Sequence, residues 1–319
     1  MEIPRAHFAG LQLEGGDTLR FVAKCLPVAI ANGVRRALLA DLPGFALQCG
    51  AFEHNDTGLP TAFLAQRMEL VPLHCCRAAA VVADTATAAV PELYSARAPP
   101  SKHHTPVDAA RVGLPATHEH TLLAWLPPAG GTLAFRATVT GGRGGEHAKF
   151  KVASDACGWE EEEEGGPQRW AVETVGGVHP ATLFTAALQS LRRRCEAYAT
   201  SHIPTAVQLR DTEEFGGVGT EVLLPRESPT LGELLTRHLR SHPRVLFAGY
   251  CRVTFADAGA GLRLHVATAT GPMPYAVMAE AAAAAASEVA SVEAAWREAV
   301  SQALLPMRPH APPCPYAGV

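Results

Sequence analysis

Two segments of the chain share one pattern of apolar and polar positions. In the first, alternation over residues 18–25 predicts a half-buried strand. A helix is predicted from Pro27 to the residues before Pro43, because the residue preceding a proline is pushed out of helical space. A second extended run is predicted over 45–52. The apolar face of this predicted helix comprises Val28, Ala31, Val34 and Leu38.

The second segment repeats this order. Residues 221–224 predict a short strand, Thr230 and Glu233 predict a capping box, and Pro243 ends the helix before an extended run over 245–253. Its helical face comprises Leu231, Leu234, Leu235 and Leu239. Strand, proline-bounded helix and strand therefore occur twice, about 200 residues apart.

Each copy leads to a long amphipathic helix with an apolar stripe that steps by three and four. The first stripe comprises Phe184, Leu188, Leu191, Cys195 and Tyr198. The second comprises Met278, Ala281, Ala285, Val289, Val292, Trp296 and Val300. Such stripes suit the seam of a left-handed helix pair. The duplication favours two related modules that face each other across a pseudo-twofold axis; the alternative is that each helix packs only on its own sheet.

The remaining segments differ in composition. The first copy is interrupted by a stretch rich in Pro, Gly and short β-like runs such as 121–126 and 132–139. The acidic run 160–164 predicts a solvated loop. We therefore predict an α+β protein with a first dimerisation module (1–43 and 167–200), an inserted β-rich domain (44–166), a linker (201–220), a second dimerisation module (221–305) and a proline-rich disordered tail (306–319).

Composition narrows the function classes. The formal net charge is −4, with 48% hydrophobic and 18% charged residues, which predicts a globular protein without the basic excess that binds nucleic acid unaided. Eight scattered cysteines and a start without a signal-peptide pattern favour a reducing compartment and predict that the chain is not secreted. Three glutamates flank the alanine-rich run 281–286, so we expect no membrane span.

Several blocks carry a family resemblance. Residues 31–43 (ANGVRRALLADLP) resemble the signature helix of the α-type, third-largest (D-type) subunits of DNA-directed RNA polymerases. The blocks NDTGL and LAQRMELVPL (55–73), GGEHAKF (144–150) and VETVG (172–176) follow in the family order. TLGELL and VLFAGY (230–250) resemble the small L-type partner, the eleventh subunit of polymerase II. A fused D-plus-L chain resembles the arrangement in polymerases of large DNA viruses.

The resemblance implies roles for particular residues. It implies that Arg35 and Arg36 contact the large catalytic subunits; solvated cations are the alternative. Arg67 is expected to bind backbone carbonyls, since arginine carries only donors. The predicted dimerisation interface comprises Asn32, Leu38, Phe184, Leu188, Leu191, Leu231, Leu235, Val289, Val292 and Trp296.

Candidate catalytic chemistry is sparse. Many D-type relatives carry a cysteine cluster, whereas Cys75 and Cys76 alone are a poor zinc donor set. The glycine-rich run 141–145 lacks a phosphate-loop ending and predicts a flexible turn. Four histidines in the insertion predict either surface residues or a metal site: His103, His104, His118 and His120.

The resemblance therefore implies a non-catalytic assembly scaffold without a cofactor or metal. Its expected partners are the two large catalytic polymerase subunits and small polymerase subunits, with DNA reached only through the complex and no membrane. The expected place of work is a cytoplasmic virus factory or the host nucleus, with packaging in the virion as a further option. The alternative is a stand-alone metal- or nucleotide-dependent enzyme that uses the histidine- and glycine-rich insertion.

Overall fold

The computed structural model describes eleven stretches of the chain. These are residues 5–84, 91–154, 158–161, 166–175, 177–200, 209–212, 218–225, 227–255, 259–268, 274–305 and 314–317. Helices and strands both contribute heavily, so the predicted α+β class is confirmed.

Helices and strands are interspersed along the chain. The helices are α1 (Val28–Arg36), α2 (Thr61–Glu69), α3 (Cys75–Asp84), α4 (Ala109–Val112), α5 (Pro180–Ala199), α6 (Pro229–Arg240) and α7 (Pro274–Gln302). The strands are β1 (His7–Glu14), β2 (Thr18–Lys24), β3 (Pro43–Asn55), β4 (Glu92–Ala98), β5 (Thr105–Asp108), β6 (Leu122–Leu126), β7 (Gly131–Arg143), β8 (Gly158–Glu161), β9 (Gln168–Glu173), β10 (Leu209–Thr212), β11 (Val218–Pro225), β12 (Val245–Phe255) and β13 (Gly259–Thr268).

The first sheet is antiparallel, with strand order β1-β2-β9-β8. The predicted strand at 18–25 is confirmed to Lys24, where Leu19 and Phe21 point into the core. The prediction is wrong at Cys25, which is exposed and has φ +55°. A left-handed residue ends the pleat, so its side chain cannot continue the buried face.

The second sheet is also four-stranded and antiparallel, with order β10-β11-β13-β12. The predicted linker 201–220 is corrected at its described residues, because β10 and the start of β11 lie within it. Strand β10 pairs with β11 from Leu209 opposite Val222 to Thr212 opposite Gly219, so backbone pairing orders residues that composition predicts to be a linker.

The two proline-bounded helices match their predicted positions, with corrections at their first turns. Val28 is 50% exposed, so it does not belong to the buried face of α1. The capping box is wrong: α6 begins at Pro229 after Ser228, no side chain caps it, and Thr230 is buried inside its first turn. Proline at the first helical position sets the start of α6, one residue before the predicted cap.

A π-helical turn, Ala37–Asp41, continues α1. The amide of Leu42 donates to the carbonyl of Ala37 across this wider turn. Leu38 in the turn is buried, as the helical pattern predicts. The wider turn carries the chain from α1 into β3 at Pro43.

Both sheets and both long helices contribute to one hydrophobic core, called here the shared core. Its residues come from chain positions as distant as Phe8, Leu188, Leu264 and Trp296. Helix α7 packs along α5 and also contacts β1, while α1 contacts α6. The alternative in which each long helix packs only on its own sheet is therefore wrong.

The insertion contains a separate core, called here the insertion core. Its buried members all lie between Leu47 and Val139 and pack between a sheet of order β3-β7-β4, a β5–β6 pair and short helices. Phe135 lies at its centre, between Phe52 and Tyr94. The predicted strands at 121–126 and 132–139 are confirmed as β6 and part of β7.

Two loop predictions in the insertion need correction. Gly141 and Gly142 are paired strand residues of β7, not a flexible turn. A Cβ at Gly142 would lie 2.6 Å from the ring of Phe150, so the glycine permits close packing. The acidic run 160–164 begins in strand β8, paired with β9, and its remaining residues lie outside the described ones.

The predicted disordered tail is corrected at residues 314–317. Cys314 and Tyr316 are 4% and 2% exposed, and the Tyr316 hydroxyl donates to the carbonyl of Pro43 at 2.7 Å. The ring of Tyr316 and the thiol of Cys314 supply apolar surface that can be buried. A prediction from composition gives more weight to the surrounding prolines and therefore favours disorder. Residues 306–313 and 318–319 of that prediction lie outside the described ones.

Candidate functional site

The candidate site is the junction where α5 and α1 of the first module meet α7 and α6 of the second. Along the α5–α7 seam, the indole of Trp296 donates to the Thr185 hydroxyl at 3.0 Å. Its ring lies 4.3 Å from that of Phe184 and 5.1 Å from that of Phe8. Aromatic packing with a satisfied indole makes this seam an interior, not a surface contact.

A polar cluster lies beside these rings. Glu293 of α7 is 4% exposed, and its carboxylate accepts from Gln189 at 3.2 Å and from Arg192 at 2.7 Å. Arg297, one turn along α7, also donates to it at 3.1 Å. A buried carboxylate with three donors has fixed geometry, so it sets the alignment of α5 on α7.

A second charged network crosses the junction at Arg194. Its guanidinium binds Asp41 at 3.0 Å, Glu227 at 2.6 Å and the Ser228 hydroxyl at 3.0 Å. Tyr198 donates to the same Glu227 at 3.2 Å. Asp41 and α5 belong to the first module, whereas Glu227 and Ser228 immediately precede α6. The network therefore fixes the entry to α6 against the first module.

Burial governs the protonation of this network. It raises the pKa of Asp41, although Arg194 opposes the shift. Burial also acts to lower the pKa of Arg194, but Glu227 and Asp41 outweigh it and leave that pKa raised. Burial, then the charge of Glu227, raises the pKa of Tyr198. Arg194 therefore stays charged and balances the two carboxylates.

Helices α1 and α6 approach closely because of one glycine. A Cβ at Gly33 would lie 2.9 Å from Cδ1 of Leu191 and 3.3 Å from Cγ2 of Thr230. Gly33 therefore occupies the point where α1, α5 and α6 meet. The resemblance block ANGVRRALLADLP places this glycine between the buried face of α1 and its two arginines.

A cleft of about 620 Å³ opens between α1 and α6. Arg35, Arg36 and Arg237 line it together with Glu233 and Tyr250. Arg35 is half-buried and Arg36 is exposed. Consecutive residues of a helix point about 100° apart, so the two arginines differ in exposure. Burial and the carboxylate of Glu233 raise the pKa of Tyr250. Arg237 is paired with Glu288 at 3.0 Å, so the cationic character of this solvent-accessible groove comes mainly from Arg35 and Arg36.

The structure brings nine of the ten predicted interface residues into the shared core. Each of these nine is at most 3% exposed: Leu38, Phe184, Leu188, Leu191, Leu231, Leu235, Val289, Val292 and Trp296. Asn32 is exposed at the rim of the cationic cleft instead. It lies on the side of α1 that carries the arginines.

Sequence reasoning missed the polar part of the junction. Arg192 and Arg194 find partners 101 and 33 residues away, so no local spacing announces them. One signal was present: Glu293 falls on the apolar stripe of α7, four residues after Val289 and three before Trp296. A carboxylate on a core-facing stripe indicates a buried ion pair.

Two resemblance blocks meet inside the insertion. Lys149 of the block GGEHAKF is 7% exposed, and its ammonium binds Glu69 of the block LAQRMELVPL at 3.1 Å. It also donates to the Leu47 carbonyl and the Gln48 side chain. The prediction for Arg67 is confirmed, because its guanidinium donates to the Leu122 carbonyl at 3.0 Å.

The residues considered for metal chemistry do not converge. His103, His104, His118 and His120 are all exposed, and His120 contacts the carboxylate of Asp108 at 3.1 Å. Within the described stretches, no group of three or more His, Cys, Asp or Glu side chains is placed to hold a metal ion. None of the helices described is long and apolar enough to cross a bilayer.

Comparison with known proteins gives a partial similarity. No protein-family model matches this chain. Over 57 residues, the chain is 37% identical to DNA-directed RNA polymerase subunit Rpo3 of Pyrococcus furiosus and 33% identical to the same subunit of Thermococcus kodakarensis. Over 57 residues it is also 32% identical to DNA-directed RNA polymerase II subunit rpb3 of Dictyostelium discoideum.

The similarity covers a small part of each protein. The matched stretch is 18% of this chain and 22% of the Pyrococcus relative, so the chain spans about a fifth of that relative's length. This supports the D-type part of the resemblance seen in the sequence. The L-type half and a viral source stay predictions.

Proposed function

We propose that this chain is a non-catalytic assembly subunit of a DNA-directed RNA polymerase. In this proposal a D-type half and an L-type half form an intrachain pseudo-dimer, on which the two large catalytic subunits assemble. The main support is the shared core, in which α5 and α7 pack along each other under two four-stranded antiparallel sheets. The similarity to Rpo3 and rpb3 supplies the class of assembly.

The physical role is positional. Nine predicted interface residues are buried in the shared core, so their side chains are not accessible to a further partner. The cationic cleft between α1 and α6 remains open to solvent and spans both halves. It therefore suits contact with large-subunit surfaces that carry carboxylates. DNA would be reached through the assembled complex, in a cytoplasmic virus factory or a host nucleus.

Arg35 and Arg36 provide the test of this role. A double substitution to alanine should leave folding intact, because neither side chain is buried. Recovery of the large polymerase subunits with the tagged chain should fall by about tenfold or more, as expected when clustered interfacial arginines are lost. Affinity purification with quantitative mass spectrometry measures this recovery.

The matched control replaces Arg20 and Arg97, two exposed arginines outside the cleft, with alanine. Recovery of the large subunits should then be unchanged. Equal loss in both double variants, or no loss in either, would contradict the assignment of the cleft. The subunit composition of the purified complex tests the proposed fusion. A separate L-type subunit in that complex would contradict it.

A further inference from the structure

Two thiols from distant parts of the chain meet in the interior. The sulfur atoms of Cys75, the first residue of α3, and Cys314 lie 3.1 Å apart. They are separated by 239 residues and are 5% and 4% exposed. Cys76 is the neighbouring thiol and is half-buried. The contact is therefore a specific pairing of two buried nucleophilic groups.

The residues that directly follow Cys314 hold it in place. The Tyr316 hydroxyl donates to the carbonyl of Pro43, and its ring is buried in the shared core. Pro315, Tyr316 and Ala317 also form one wall of a cleft of about 690 Å³. Its other walls include Asp41, Arg143, Arg193 and Arg194, so this wall closes over the charged junction between the modules.

We propose that Cys75 and Cys314 are a covalent modification site: they form a reversible disulfide that fastens residues 314–317 to the start of α3. The oxidant is a low-molecular-weight disulfide. A metal is not an equivalent reading, because these two sulfurs belong to no described cluster of three or more ligating side chains.

The reaction balances as two thiol–disulfide exchanges. The thiolate of Cys314 attacks one sulfur of the small disulfide, forms a mixed disulfide and releases one small thiol. Cys75 then loses its proton and attacks the Cys314 sulfur, which releases the second small thiol. The two protein thiols lose two protons and two electrons in total, and the small disulfide gains them.

Burial makes the exchange conditional on movement of the segment. Burial, then contact with Cys314, raises the pKa of the Cys75 thiol, so the seated Cys75 is protonated and a poor nucleophile. Release of Tyr316 from Pro43 exposes Cys314 to the small disulfide, and reseating brings it back to Cys75. The cross-link therefore forms only if residues 314–317 return to their seated position while the low-molecular-weight thiols are oxidised.

The test uses the full chain and oxidised glutathione. After reduction and re-equilibration, tryptic mass spectrometry should find a linked pair of peptides that contain Cys75 and Cys314, lighter by two hydrogens than their sum. Cys75 and Cys76 share one tryptic peptide, so the matched control is Cys76→Ser. The cross-link should persist in Cys76→Ser and disappear in both Cys75→Ser and Cys314→Ser.

A second readout follows folding in the wild type. Cross-linking restricts the unfolded chain, so oxidised wild type and oxidised Cys76→Ser should melt at a higher temperature than their reduced forms. Cys314→Ser should show no such difference. Mixed disulfides with glutathione without an internal cross-link would overturn the proposal. So would a cross-link that survives in Cys75→Ser and is lost in Cys76→Ser.

Discussion

The shared core and the insertion core differ in where their residues come from. The insertion core draws on one continuous stretch, from Leu47 to Val139. The shared core combines the start of the chain, α5, the second module, Cys314 and Tyr316, and a few residues of the predicted inserted domain. The insertion can therefore fold as a unit by itself, whereas neither half of the junction has a complete core without the other.

The largest effect should come from Trp296→Ala. Loss of a fully buried indole that touches Phe8 and Phe184 should cost about 3–5 kcal/mol of unfolding free energy. The loss should appear in both modules, because the indole packs on residues of the first from a helix of the second. Hydrogen exchange measured peptide by peptide reports the protection of each region.

Phe135→Ala is the matched change in the insertion core. It removes a ring that is equally buried and should cost a similar amount, but only within the insertion. Peptides of α5 and α7 should keep their protection. The comparison between the cores fails if Trp296→Ala affects the second module alone, or if Phe135→Ala also loosens the α5–α7 seam.

Arg194→Ala should have a smaller effect on the junction. Without the guanidinium, the carboxylates of Asp41 and Glu227 face each other without their shared cation, which should cost about 2 kcal/mol after allowance for partial exposure. Urea unfolding followed by circular dichroism measures the change. The control is Arg193→Ala, an exposed neighbour, expected to change stability by about 0.5 kcal/mol or less. Equal effects of the two would contradict the network.

The smallest effect concerns acid sensitivity within the second module. Burial acts to raise the pKa of Glu288, but His238 and Arg237 of α6 outweigh it and hold that pKa below its ordinary value. A lowered carboxylate pKa stabilises the fold above the ordinary value, about 4.3 for glutamate, and the gain is lost as pH falls through the lowered pKa.

Glu288→Gln should therefore be less stable than wild type at pH 6, with a difference that shrinks toward pH 3. Urea unfolding at stepped pH measures this. Glu298→Gln, an exposed change on the same helix, should alter stability little throughout. A Glu288→Gln difference that stays constant with pH would show that the ion pairs do not link α6 to α7.

Periodic apolar residues made much of this fold predictable. The strands and proline-bounded helices around Phe21 and Leu235, and both long helices, follow from spacings within a few residues. The buried members of the junction follow from the same stripes. Periodicity fails at Cys25 and Thr230, because a left-handed strand end and a helix start at Pro229 decide their positions.

The remainder depends on partners far away in the chain. Arg192 is held by Glu293, 101 residues later, and the Tyr316 hydroxyl by a carbonyl 273 residues earlier. No window of local sequence contains both members of such a pair. The cationic cleft was only partly predictable from the sequence. Arg35 and Arg36 are adjacent in one block, whereas Arg237 comes from another helix.

The distribution of the two cores also sets an order of events during synthesis. Ribosomes add about 5–20 residues per second, and domains generally fold as units, with N-terminal domains first. The insertion core is complete once Val139 has emerged, while β2 still lacks its partner β9 and the shared core still lacks α7, Cys314 and Tyr316. A nascent chain therefore carries a folded insertion between unpaired flanks. Chaperone demand should persist after the insertion has folded and end only when α7 and residues 314–317 have emerged from the exit tunnel.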